Sequence, residues 1–406
     1  MHSMTNTELA AKSSHPLPVA DGDFYLVSRT LSPEDEAIRL KVRSFMEAEV
    51  QPIIADFWER DEFPFDLLPK IRALNIMGLP YEGYGCPGRS TTLMGFIMME
   101  IARVDCSLST FFGVHTGLAM GSIYLCGSEE QKKKWLPQMA ALEKVGSFGL
   151  TEPLVGSGTS GGLLTTAKRS GDTWTLNGEK KWIGNSTWGD LTIIWARDVD
   201  DGQVKGFIVE KGTPGFSVEK ILHKMALRVV QNGHITLTDC KVSEANRLSN
   251  ANSFADTARV LRMTRAGVAW ESVGCATGAY EHALRYAQTR EQFGRPIAKF
   301  QLVQDLLFKM LGNITSTQAL CLRLSQLQDQ GLMRDEHASL AKGVCTTRMR
   351  ETVGWARELL GANGILLDQH IGRFVADAEA LYSYEGTREM NALIVGKAIT
   401  GFSAFV

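Results

Sequence analysis

Four residues near the C-terminus, Tyr384-Glu385-Gly386-Thr387, set a lone carboxylate between an aromatic ring and a glycine. Leu381 and Tyr382 precede them, and a helix-like stretch from Asn391 to Ile399 follows. A carboxylate at the mouth of an apolar helical segment is poorly solvated, so its pKa rises toward neutrality and it becomes a usable general base. The same residue types also suit a helix N-cap region, where they satisfy free amides. A second cluster, Arg290-Glu291-Gln292-Phe293-Gly294-Arg295-Pro296 followed by Gln301, offers a planar guanidinium fork suited to a pyrophosphate, and a ring that could pack on a flat system. A plain helix–helix corner would carry it equally well. Gly361-Ala362-Asn363-Gly364 reads as a helix stop and a tight turn that lets another backbone or a cofactor approach closely. Trp182-Ile183-Gly184-Asn185-Ser186 puts an indole beside a glycine at a strand end, either in the core or against a flat cofactor.

Gly156-Ser157-Gly158-Thr159-Ser160-Gly161 matches the spacing of a dinucleotide fingerprint. That motif needs a preceding apolar strand and a following long helix. Here Thr151-Glu152-Pro153 precedes it and a strand-like run, Leu163 to Ala167, follows, so a Rossmann nicotinamide site is set aside. Its bare amides still suit a phosphate group.

The elements that must position these residues fall into three regions. Residues 1–30 read as a disordered polar tail. From 31 to 146 apolar residues recur at helical spacing, as in Leu93-Ile97-Ile101, with Ser32-Pro33-Glu34-Asp35 as an N-cap and first turn. From 147 to 250 the period shortens to that of strands, and a β-barrel or sandwich is expected. Its strands are Leu191 to Trp195, Gly206 to Val209, Phe216 to Ile221 and His234 to Leu237, with a hairpin turning at Asn177-Gly178 between Trp174-Leu176 and Lys181-Ile183. From 251 to 406 long helical patterns broken at Gly294, Gly331 and Gly361 predict a four-helix bundle. The fold class is therefore α+β.

With 44% hydrophobic residues and a formal charge of -2, the chain has no electrostatic case for nucleic acid or an anionic membrane, and no apolar run of membrane-spanning length. Seven scattered cysteines without a C-x-x-C pair, and eight dispersed histidines, argue for reduced thiols and against a metal site. The N-terminal stretch lacks a signal's apolar run, so a cytoplasmic location is expected.

In this order and spacing the pieces resemble the acyl-CoA dehydrogenase and acyl-CoA oxidase flavoprotein family, from about residue 30 to the C-terminus. Five segments carry the resemblance: Leu150-Thr151-Glu152-Pro153 with Gly156-Ser157, Lys181-Trp182-Ile183, Arg290-x-x-Phe293-Gly294, Gly361-x-Asn363-Gly364, and Tyr384-Glu385-Gly386-Thr387. Leu227-Arg228-x-Val230-Gln231-Asn232-Gly233 and Ala398-Ile399-Thr400-Gly401 are similar to the glutaryl-CoA dehydrogenase and short-chain acyl-CoA oxidase branch.

The resemblance implies three domains in the order just read, a homotetramer, and FAD between the β-domain and the bundle. Leu150 and Thr151 would meet the flavin and Trp182 would flank it, with Gly156, Ser157, Gly184 and Thr387 also on the cofactor. Arg290, Phe293 and Gln301 would reach the pyrophosphate and adenine from a neighbouring subunit, with Glu358 and Ala362 near by. Ser157, Arg265, Tyr384 and Gly386 match the acyl-CoA side, and Glu385 the catalytic base. The implied activity is a short-chain acyl-CoA dehydrogenase forming trans-2-enoyl-CoA. Glu385 would take the α-proton, the β-carbon would give hydride to flavin, and electron-transfer flavoprotein would accept the electrons. The alternatives are an oxidase using O2 and a glutaryl-CoA dehydrogenase. Three positions depart from the family pattern: Gly158 for Asp, Ala362 for Gly, and Gly184 for the Thr that dehydrogenases usually carry. The short-chain oxidases resemble this chain at Gly184. Ser109 stands where glutaryl-CoA dehydrogenases carry Arg, which favours an apolar acyl end.

Overall fold

The computed structural model describes residues 17–405. The first helix, α1 (Pro33–Phe45), starts as its sequence dictates: Ser32 caps it by accepting from Asp35 N, and proline takes the first turn. Two apolar helices follow shorter helical turns, α2 (Thr91–Ala102) and α3 (Cys106–Phe112). Asp105 caps α3 by accepting from Leu108 N at 2.8 Å, and its other oxygen pairs with Arg373 Nη1 at 2.8 Å. Beyond α3 the helix widens into π-type turns (Gly113–Met120) before α4 (Glu129–Ala140).

The middle of the chain forms one curled, seven-stranded mixed sheet: β1 (Gly146–Gly149), β2 (Thr166–Ser170), β3 (Thr173–Gly184), β4 (Leu191–Asp198), β5 (Val204–Glu210), β6 (Phe216–Lys220) and β7 (Asn232–Ser243). The order is β1-β4-β2-β3-β7-β6, with β5 on β4; β1 and β2 run parallel to β4, and the other pairings are antiparallel. Five helices complete the chain: α5 (Phe254–Thr289), α6 (Gln301–Asp329), α7 (Asp335–Leu359), α8 (Ile371–Ser383) and α9 (Arg388–Thr400). The helix–sheet–helix order expected from periodicity is borne out, with breaks at the three glycines named above. A single apolar core runs through the N-terminal helices, the C-terminal helices and the strap Leu227-Val229-Val230 that leaves the sheet. No helix among the described residues is long and apolar enough to cross a membrane.

Two expectations fail. No hairpin turns at Asn177-Gly178: both residues lie inside β3, and the real turn joins β2 to β3 at Gly171-Asp172. Asn177-Gly178 marks a β-bulge, with a register shift against β7. Gly178 has φ +140°, and a Cβ there would meet Thr165 Cα at 2.7 Å, so the glycine serves a close approach of backbone. The tail expected over 1–30 lies partly outside the described residues. From 17 onward it is anchored: Ala20 and Val27 are buried, and Pro18 O accepts from Gln288 Nε2 at 3.0 Å.

Candidate active site

Glu385 sits in the turn between α8 and α9, half-buried, with φ +54°. A non-glycine residue in the left-handed region costs energy and persists only where its surroundings enforce it. The enforcing groups are visible. Lys342, buried on α7, donates from Nζ to Tyr382 O and to Gly386 O, both at 2.8 Å, gripping the carbonyls on either side of the glutamate. Asn391 Nδ2 adds a bond to Gly386 O at 2.9 Å and another to Thr387 O at 3.0 Å. Gly386 itself has φ +84°, which completes the turn, and Thr387 caps α9 by accepting from Met390 N.

The Glu385 carboxylate points at α5, where Thr264 Oγ1 donates to Oε2 at 2.8 Å. Burial raises its pKa above the ordinary 4.5, while Thr264, Arg265 and Lys342 hold it down. Burial in turn brings the Lys342 ammonium down to about 8. The Arg265 Nε is buried and finds no partner. Such an orphaned donor beside a carboxylate invites an anionic or carbonyl ligand. Among the described residues the Glu385 N–H also donates to no protein acceptor; the last amide bonded back into α8 is Tyr384 N, to Ala380 O.

Next to Glu385, the Tyr384 hydroxyl donates to buried Glu271 of α5, and Thr110 Oγ1 of α3 lies 3.1 Å from the same carboxyl. Helix α3 then leads to the sheet: Asn185 Nδ2 donates to Phe111 O, and Val114 lies where a Cβ on Gly184 would meet it at 3.3 Å. At the end of β3 a second register shift leaves Trp182 with φ +69° and 55% exposed, so the indole is a platform and not core. Asn232 Nδ2 holds its carbonyl at 3.3 Å.

Beside it, Leu150 and Thr151 are fixed by a buried ion pair. Lys180 Nζ meets Glu152 Oε1 at 2.8 Å and Leu150 O at 3.1 Å, and Lys181 N donates to Thr151 O. Burial pushes Glu152 up, but Lys180 and the amides of Leu164 and Thr165 outweigh it, and its carboxyl ends below the usual range. Lys180 falls to about 8 by burial. Gly156 and Ser157 lie exposed on the following loop.

These residues split into two groups. Leu150, Thr151, Trp182 and Gly184 on one side, and Arg265, Tyr384, Glu385, Gly386 and Thr387 on the other, are joined through α3. Arg290, Phe293, Gln301, Glu358 and Ala362 are not among them. Arg290 caps the far end of α5, about 39 Å along the helix from Thr264 at 1.5 Å per residue. There Phe293 is 92% exposed, and Asn363, next to Ala362, donates from Nδ2 to Tyr286 OH at 2.7 Å. One chain alone cannot bring both ends of α5 to one reacting centre.

Comparison with known proteins agrees with this architecture. Family models for the acyl-CoA dehydrogenase N-terminal, middle and C-terminal domains match residues 32–143, 147–240 and 254–400. The chain belongs to the acyl-CoA dehydrogenase family. It is 34% identical to an acyl-CoA dehydrogenase of Bacillus subtilis (strain 168), over 91% of this chain and 99% of that one. It is 32% identical to the short-chain specific acyl-CoA dehydrogenase of Clostridium acetobutylicum, over 91% and 98%. A glutaryl-CoA dehydrogenase from Mycobacterium smegmatis, solved in complex with FADH2, superposes with TM-score 0.92 at 33% identity, covering 96% of this chain and 100% of the other. The family comprises FAD oxidoreductases acting on CH–CH groups, which bears out the enzyme class and cofactor expected from the motifs.

Sequence reading missed Thr264, Glu271, Lys342, Thr110 and Asn391. Only Thr264 had a usable signal, its place beside Arg265.

Proposed function

We propose that this chain is an FAD-dependent acyl-CoA dehydrogenase that converts a short-chain acyl-CoA into the trans-2-enoyl-CoA, with Glu385 as the base. The observation that carries the reading is the Glu385 turn, a half-buried carboxylate with raised pKa, held in a left-handed conformation by Lys342 and Asn391. A thioester α-proton is too weakly acidic for a carboxylate in water. The free Glu385 N–H would donate to the thioester oxygen and stabilise the developing enolate. A ligand that expels the remaining water from around Glu385 would raise the carboxylate's pKa further and strengthen that bond. Arg265, with its unpaired Nε, would face the polar part of the same substrate.

The residues present suit a flavin: an exposed indole platform at Trp182, a fixed Leu150–Thr151 edge, and a glycine, Gly184, at the end of the same strand. When bound, FAD supplies the acceptor for the hydride leaving the β-carbon. Leu150, Thr151, Trp182, Gly184 and Thr387 would hold it, with Gly156 and Ser157 on the loop beside it. Arg290, Phe293, Gln301, Glu358 and Ala362 would act in a neighbouring subunit's site of a homotetramer; the distance of Arg290 from Thr264 and the exposure of Phe293 fit a role across a subunit boundary. Electron-transfer flavoprotein would be the acceptor.

Two neighbouring activities are weighed by single residues. Gly184 carries no side chain where dehydrogenases usually have Thr, the feature that favours an oxidase. Against glutaryl-CoA, Ser109 is buried and its Oγ donates to Met98 O at 3.3 Å, so it offers no cation to a distal carboxylate. The test is Glu385→Gln, expected to retain FAD and lose on the order of 10²–10⁴-fold in turnover with butyryl-CoA. Near-normal activity would sink the assignment.

A further inference from the structure

Helix α5 touches the catalytic turn twice. Thr264 takes the Glu385 carboxylate, and Glu271, two turns along at about 10 Å, takes the hydroxyl of the adjacent Tyr384. Glu271 is 1% exposed, and the chemistry described above does not use it.

The hydrogen count around it bears on its protonation state. The Thr110 hydroxyl has one proton, and its shorter contact, 2.8 Å, is to Cys106 O, an acceptor only. The same hydroxyl also points at Glu271 Oε1 at 3.1 Å, and one proton cannot serve both acceptors; a proton on the glutamate resolves that conflict. Glu271 as a neutral acid satisfies every partner, donating from Oε1 to Thr110 and accepting at Oε2 from Tyr384. The hydroxyls of Tyr384, Thr110 and Ser109 favour the charged form, but burial, with the acid Asp377 of α8 beside it, outweighs them; from α3 the carboxyl also faces Cys106. The Arg373 guanidinium is engaged with Asp105.

We propose that Glu271 is a positioning residue for the Glu385 base: a neutral buried carboxyl that ties Tyr384, and with it the 384–387 turn, to α3 and α5. Burial that moves this carboxyl up to about 7 is consistent with that state, and ionisation above neutrality would remove the proton shared with Thr110. The proposal rests on the reading of Glu385 as the base.

The test uses the FAD-loaded enzyme and two readouts between pH 6 and 9. One is anaerobic flavin bleaching by butyryl-CoA; the other is exchange of the butyryl-CoA α-protons into D2O, followed by NMR, which needs the base but no hydride transfer. Glu271→Gln keeps a donor for Thr110 and an acceptor for Tyr384 but cannot ionise. It is expected to work within about threefold of wild type at pH 6.5 and to lose the alkaline decline that wild type shows. Glu271→Leu is expected to slow exchange roughly tenfold or more, the worth of one lost buried hydrogen bond, with KM little changed. The proposal is overturned if the leucine variant exchanges like wild type. It is equally overturned if the glutamine variant keeps the wild-type alkaline decline, or is as impaired at pH 6.5 as the leucine variant. Should the leucine variant fail to fold, the glutamine profile alone decides. A wild-type enzyme whose exchange is unaffected by Glu385→Gln would instead refute the reading of Glu385 beneath it.

Discussion

Lys342→Met tests how the catalytic turn is held. Methionine keeps the length and the apolar stem of the lysine and removes only the ammonium. Two charge-assisted hydrogen bonds disappear, to Tyr382 O and Gly386 O, each worth about 1.5–3 kcal/mol. Gly386 O keeps Asn391 Nδ2 at 2.9 Å, so the unreplaced loss falls on Tyr382 O. Relief from burying an ammonium, already depressed to about 8, offsets part of the cost. A net destabilisation of about 1–3 kcal/mol should appear as a melting point lower by a few degrees. The sharper consequence is electrostatic. The ammonium favours the ionised form of Glu385, so its removal raises the base's pKa further. The acid limb of kcat/KM should move to higher pH by about 0.5–1 unit, the shift expected from one partly screened charge. The assay is kcat/KM for a short acyl-CoA from pH 5 to 9, with thermal melts at each pH. An acid limb that stays in place or moves down would refute the claim that Lys342 acts on Glu385.

Three further perturbations probe other parts of the site. Glu152→Gln leaves the Lys180 ammonium buried beside a neutral amide; a loss of about 3–5 kcal/mol and release of FAD on gel filtration are expected, because Leu150 and Thr151 lose their anchor. Gly184→Thr puts a Cβ 3.3 Å from Val114 Cγ2, so Val114 must shift slightly to admit it; the variant should slow reoxidation of the reduced flavin by air while leaving anaerobic bleaching within about threefold. Asp377, buried with Leu227 N at 2.6 Å and Trp58 Nε1 at 3.3 Å, is raised from 3.8 to about 7, chiefly by burial. The folded state therefore binds more protons than the unfolded one between these values, and stability falls as pH rises through that window. Asp377→Asn should abolish a loss on the order of 2–4 kcal/mol between pH 4 and 7, read from denaturant melts at pH 5 and 8; an unchanged difference would count against it.

What the chain reveals before folding depends on the kind of signal each residue leaves. The Glu385 turn left a mark in the sequence because tyrosine, glutamate and glycine stand together, and the resemblance pointed to a base there; its left-handed conformation depends on Lys342, 44 positions away, and on Asn391. The hairpin at Asn177-Gly178 was misread for a related reason: a turn and a bulge demand the same dipeptide, and only pairing with β7 separates them. Trp182 left both readings open until a register shift in β3 turned its indole outward.

The residues that hold the base were illegible for a different reason. Thr264 meets Glu385 across 121 positions of chain, Glu271 meets Tyr384 across 113, and Lys342 reaches Gly386 across 44. Each sits within a long helix where its neighbours follow an ordinary apolar pattern, and only Thr264, beside Arg265, has any local marker. Burial of a charge or an acid is set by what the helix packs against, and only tertiary structure supplies that. The same distinction bears on substitution. Residues proposed to face ligands, such as Trp182 and Ser157, are exposed and can change with modest effect on folding. Lys342, Glu271 and Lys180 are buried polar groups whose partners would be orphaned, so changes there should cost stability and activity together.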